Sequence, residues 1–67
     1  MVVSNQDQRE LRNRLLVYQR EIGVKWLFLA DLLEIDRVIM SGYKAGRINL
    51  HDGTAQKLDE YLKSKGY

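Results

Sequence analysis

The chain has 67 residues, a formal net charge of +2, 45% apolar and 30% charged side chains, and neither cysteine nor proline. That length allows a single small domain, and a domain of about 60 residues buries only about 60% of its chain surface. Without cysteine there is no disulfide framework and no cysteine zinc site, and no apolar run approaches the roughly 18 residues of a membrane-spanning helix.

Residues 1–6 contain nothing that would pin them down and are expected to be disordered, leaving one domain over residues 7–67. Met1-Val2-Val3-Ser4-Asn5-Gln6-Asp7 also lacks the basic flank and apolar segment of a secretory signal. With a single histidine and no cysteine, the simplest expectation is a cytoplasmic chain without metal or cofactor.

The first helix is expected to start at Asp7, whose charge suits a helix N-terminus. Leu11, Leu15, Tyr18 and Ile22 follow a 4-3-4 spacing and predict its buried stripe. Arg9, Arg12, Arg14 and Arg20 lie mostly off that stripe, and Gly23 is placed to end the helix in a left-handed conformation.

A second helix is predicted over residues 25–34, with Leu29, Leu32 and Leu33 on one face and the small Ala30 beside it. Asp36 is a good N-cap for a third helix over residues 36–45, where Ile35, Met40 and Tyr43 are available for burial and Gly46 is the stop. Two short helices, a small contact residue and a capped restart describe a helix-turn-helix over residues 24–45. A fourth helix is expected to begin near Asn49, with Asn49 and Asp52 forming a capping box and Leu50, Thr54, Leu58, Tyr61 and Leu62 forming its buried face. No run alternates as a strand does. The predicted fold is all-α: four helices in one compact domain.

Nothing here has the parts of an active site, and the chain is not expected to be an enzyme or to take a small-molecule substrate. His51 has no second histidine or cysteine with which to share a metal. Asp59 and Glu60 are adjacent and point about 100° apart on a helix, so they are no acid/base pair. Ser4, Ser41 and Ser64 have no histidine-acid arrangement near them, and no glycine-rich phosphate loop is present.

The spacing from Leu11 to Leu62 resembles the Cro/CI-type (lambda repressor-like) helix-turn-helix family of small phage and bacterial repressors. Leu11, Leu15 and Tyr18 match its first-helix core, and Gly23-Val24 its lead into the second helix. Leu29-Ala30 matches its Leu-Ala pair, Leu33 and Ile35 bracket the turn, and Met40 and Tyr43 take the apolar positions of the recognition helix. Gly46 matches the glycine that ends that helix, and Thr54-Ala55-Gln56-Lys57-Leu58 resembles the family's fourth helix. The chain departs from the family at several places. Glu34 stands where the turn usually has glycine, so either a non-glycine residue is left-handed there or the turn differs. Gln19 and Lys44 replace a charge pair, Trp26 replaces a DNA-touching glutamine, and the family's common fifth helix is not expected within these residues.

The resemblance implies a transcriptional regulator of phage or prophage type, repressor-like, with its third helix in the major groove of double-stranded DNA. By position Arg37, Val38, Ser41 and Gly42 would face base edges, with Arg37 able to form two hydrogen bonds to guanine. Lys25, Lys44 and Arg47 would meet phosphates. Val38, Ile39 and Gly42 make a sparse reading surface, so useful selectivity would need a homodimer on two half-sites.

Trp26, Leu27 and Phe28, with Leu16 and Val17 of the first helix, suggest a second surface. They are either covered within the domain or form a dimer or partner interface. The alternative reading of the chain follows from them: a protein-binding module on the same fold, an antirepressor or modulator docking onto another repressor or a host factor.

Overall fold

A computed structural model describes residues 5–67, and its secondary structure is entirely helical. Among the described residues four helices follow in order: α1 (Asn5–Ile22), α2 (Trp26–Leu33), α3 (Arg37–Lys44) and α4 (Asp52–Ser64). None is long and apolar enough to cross a membrane. Helix α1 begins two residues ahead of the expected Asp7, so Asn5 and Gln6 belong to it. Residues 1–4 of the segment expected to be disordered lie outside the described residues.

The core is mostly the one the periodicity implies, although Leu32, Ile35, Thr54 and Tyr61, expected to be buried, are only half-buried and Ala55 is buried beside them. Leu11, Leu15 and Tyr18 of α1 pack with Leu29, Ala30 and Leu33 of α2, Met40 and Tyr43 of α3, and Ala55, Leu58 and Leu62 of α4. Each fully buried leucine removes enough apolar surface to contribute about 1.5–3 kcal/mol. Ala30, 2% exposed, leaves room for α3 to approach α2 closely. Ile22 does not join this core. It lies on the α1 stripe but is 56% exposed.

All four helices close their C-termini with local backbone bonds. At the end of α1, the Gly23 N–H donates to Gln19 O at 2.8 Å. The other three use the paired pattern in which two N–H groups beyond the helix reach back to its last turn. In α2 these are Glu34 N–H to Asp31 O (3.1 Å) and Ile35 N–H to Ala30 O (3.0 Å). In α3 they are Gly46 to Tyr43 (3.1 Å) and Arg47 to Gly42 (2.9 Å); in α4, Gly66 to Lys63 (3.1 Å) and Tyr67 to Leu62 (2.8 Å). The motif needs a left-handed residue, supplied by glycine in α3 and α4 and by Glu34, at φ 58° and ψ 40°, in α2. The turn therefore keeps the glycine geometry without the glycine. Asp36 then restarts the chain as α3, its carboxylate accepting from Ile39 N–H at 2.8 Å.

Helix α4 does not start near Asn49 as expected; it starts at Asp52, with His51 rather than Asn49 at the N-cap position. Residues 49 and 50 are held by α1 instead. The Asn49 side chain accepts from the Arg12 guanidinium at 3.1 Å. The buried Gln8 amide brackets Leu50, donating to its carbonyl at 2.9 Å and accepting from its N–H at 3.2 Å. These bonds hold the segment before α4 against α1, and the helix begins two residues beyond Leu50.

Helix α1 is also fastened to the far end of α4. The Arg14 guanidinium donates to Tyr67 O at 2.8 Å and to the Asp59 carboxylate at 2.6 Å. The Tyr67 hydroxyl donates to Glu21 at 2.6 Å, and the Tyr18 ring meets Tyr61 and Tyr67 edge-on, with centroids 5.7 and 5.1 Å away.

Candidate functional site

The site grows from the pitch of α3. Arg37, Ser41 and Lys44 are spaced 4 and 3 apart and share one face, with Val38 about 100° round from Arg37. The adjoining side carries Met40 and Tyr43 into the core. Because α2 packs beside α3, this outer face becomes one wall of an open concavity of about 480 Å³. Trp26 and Leu27 form the wall on α2, Ala30 and Met40 the floor, and Arg47 stands at the end of α3.

The two surfaces distinguished in the sequence are thus partly one. Trp26 and Leu27, read as partner residues, line the same concavity as Arg37, Val38, Ser41, Lys44 and Arg47. The Lys44 ammonium lies 4.8 Å from the centre of the Trp26 ring and ties the two walls together. Phe28 is exposed but does not line the concavity, and Leu16 and Val17 are half-buried on α1, away from it. Lys25 is exposed at the N-cap position of α2, outside the concavity.

Gly42 is a correction. It is buried, not on the outer face. Its carbonyl accepts from both Arg47 N–H (2.9 Å) and Ile48 N–H (3.3 Å), which draws the following loop back over the helix. A Cβ at this position would lie 3.0 Å from the Cδ1 and Cγ1 atoms of Ile48. Glycine is there so that Ile48 can close over the helix. On a helical projection Gly42 falls only about 40° from Val38, and the sequence gives no sign of the loop that covers it.

The electrostatics of the concavity are one-signed. Three cations line it and, among the described residues, no carboxylate does. Asp36, next to Arg37 in the chain, is engaged in capping α3. A second concavity, between α1 and α4, differs in this respect. It mixes both signs: Asp59 pairs with Arg14 at 2.6 Å and Lys63 at 3.1 Å, Asp7 and Glu10 also line it, and the Arg14 hydrogen bond holds the Asp59 carboxyl below its usual range.

Behind α3 lies a support that the sequence reading missed. Arg12, assigned to the outer side of α1, donates through Nε to Tyr43 O at 2.6 Å and through its other arm to Ile48 O at 3.3 Å. Its guanidinium also covers the Tyr43 ring at 4.9 Å. It therefore fixes the end of α3 and the loop after it against α1. Arg12 lies one position beyond Leu11, at the edge of the stripe, and that position was the available signal. The Tyr43 hydroxyl is buried with no hydrogen-bond partner among the described residues. Burial pushes it up to about 12, with the nearby Arg12 and Arg14 charges acting in the opposite direction.

Gln19 and Lys44, two positions at which the chain departs from the Cro/CI-type pattern it resembles, have local partners. Gln19 donates to Val24 O at 2.9 Å across the α1–α2 connection, and Lys44 covers Trp26. No three histidine, aspartate or glutamate side chains gather where they could hold a metal ion among the described residues. Compared with protein-family models, curated proteins and solved structures, the chain matches none.

Proposed function

We propose that the chain is a small, cytoplasmic DNA-binding regulator of transcription, with α3 in the major groove of duplex DNA. The observation that carries this reading is the concavity between α2 and α3, which gathers Arg37, Lys44 and Arg47 without a carboxylate. An open surface whose charged lining residues, among those described, are all cationic suits a polyanion with a groove. The spacing shared with Cro/CI-type repressors points the same way.

In this reading Arg37, near the N-terminus of α3, bonds guanine O6 and N7, and Ser41 one turn later reaches a base edge or a phosphate. Lys25, Lys44 and Arg47 meet phosphates at the rim; Lys44 does so by leaving the Trp26 ring. The regulator acts by occupancy: bound to an operator it blocks transcription, and no chemical step is involved. Two copies on two half-sites supply the selectivity that three base-reading side chains lack. Phe28, Leu16 and Val17, outside the concavity, are available for their contact.

The protein-binding alternative rests on the exposed apolar side chains of Leu27, Phe28 and Val38. The three cations beside Leu27 and Val38 favour an anionic occupant over an apolar protein surface, and we therefore place DNA first. A mobility-shift series over operator-like duplexes at low salt tests it. Arg37→Ala is expected to weaken binding at least about fivefold, the lower end for a two-bond base contact. Arg47→Ala is expected to reduce the salt slope by about 1. Absence of binding, or binding indifferent to Arg37→Ala, would overturn the base-reading role.

A further inference from the structure

Val38 is 80% exposed, the most exposed large apolar side chain among the described residues, and it takes no part in the core. A β-branched residue in a helix is held close to a single rotamer, so its two methyl groups stand in a fixed place. Leu27, 53% exposed, lines the same concavity from α2. These apolar groups sit among Arg37, Lys44 and Arg47, with no carboxylate. An occupant that suits all of them is anionic at its rim and apolar at one point inside. The major-groove edges of the four base pairs offer one apolar group, the 5-methyl of thymine.

We propose, resting on the DNA reading above, that the concavity selects a 5-methylpyrimidine. Val38 and Leu27 enclose the methyl group in the major groove while Arg37 holds a nearby guanine. The exposed valine then sets specificity. 5-Methylcytosine carries the same methyl group at the same place, so cytosine methylation creates a site where unmodified cytosine does not.

The test takes random duplexes of about 20 base pairs, long enough for two half-sites, through rounds of binding to the full chain. The enriched duplexes are then remade with deoxyuridine in place of thymine, which removes only the methyl groups. Binding is expected to weaken about fourfold for each enclosed methyl. In Val38→Ala, which favours the helix at an exposed position and so keeps the fold, the gap between the two duplexes is expected to narrow to less than about twofold. Equal binding of the thymine and deoxyuridine duplexes overturns the proposal while leaving the DNA reading intact. So does a full gap persisting in Val38→Ala, since the methyl would then act through duplex shape. Failure to bind any duplex at low salt overturns the DNA reading, and the methyl proposal with it.

Discussion

Glu34 holds a left-handed conformation that an L side chain adopts at a cost of about 1–2 kcal/mol. The surrounding bonds leave it little choice, because Glu34 N–H and Ile35 N–H must both reach back to close α2 before Asp36 opens α3. The Lys57 ammonium, 3.7 Å from the Glu34 carboxylate, offsets little of that cost, since the glutamate side chain is 82% exposed. Glu34→Gly removes the strain and adds about 0.5–1 kcal/mol of chain entropy to the unfolded state. The net expectation is a gain of about 0.5 kcal/mol, read as a higher urea midpoint with an unchanged slope. A loss of stability would mean that the glutamate side chain contributes more than the geometry indicates. The departure at residue 34 was legible in the sequence. Which of its two consequences followed, a left-handed glutamate or a different turn, depended on bonds that only the assembled turn displays.

At the scale of elements, α1 is the organiser. Its apolar stripe builds the core, and its polar residues Gln8, Arg12 and Arg14 grip Leu50, the end of α3 and Tyr67 in turn. The fold was legible in most places where apolar residues keep a helical period: Leu11, Leu15 and Tyr18, Leu29 and Leu33, Met40 and Tyr43, Leu58 and Leu62 are all buried, while Ile22 on the same period is not. It was illegible where a polar side chain serves a distant backbone, because glutamine and arginine have the same surface-like signature whether or not they find such a partner. That is why the start of α4 was placed too early. Arg12→Met keeps the aliphatic stem and removes the guanidinium, with its bonds to Tyr43 and Ile48 and its contact with the Tyr43 ring. A loss of about 2 kcal/mol is expected. Faster amide exchange at Arg47 and Ile48 should accompany it, because their bonds to Gly42 depend on the loop being held. Unchanged exchange there would show that the loop closes without α1.

The whole molecule answers to alkali through its tyrosines. Burial raises Tyr43 to about 12, and Tyr61 is raised to about 12 by burial first and by its 2.8 Å hydrogen bond with Tyr18 second. An acid whose folded value lies above its unfolded value of about 10 stabilises the fold fully below pH 10. That stability is lost as the pH rises from about 10 to about 12, because the unfolded chain ionises first. For Tyr43 the linkage is on the order of 2 kcal/mol. Tyr43→Phe discards a buried hydroxyl without a partner and is expected to be neutral or to stabilise by about 1 kcal/mol at pH 7. Urea unfolding between pH 9 and 12 should show a shallower decline than in the parent chain; an identical decline would exclude Tyr43 as a source. The candidate site was legible only in part at this scale. Spacing placed Arg37, Val38 and Ser41 together, but the union of Trp26 and Leu27 with them depended on how closely Ala30 lets two helices meet. One consequence follows from the lysine resting on that indole. Trp26 is the chain's single tryptophan, and it forms a wall of the concavity. Its light emission therefore comes from one place, and any occupant that draws Lys44 away alters the charge over the emitting ring. The protein carries its own optical gauge of occupancy, with no dye attached and no residue changed.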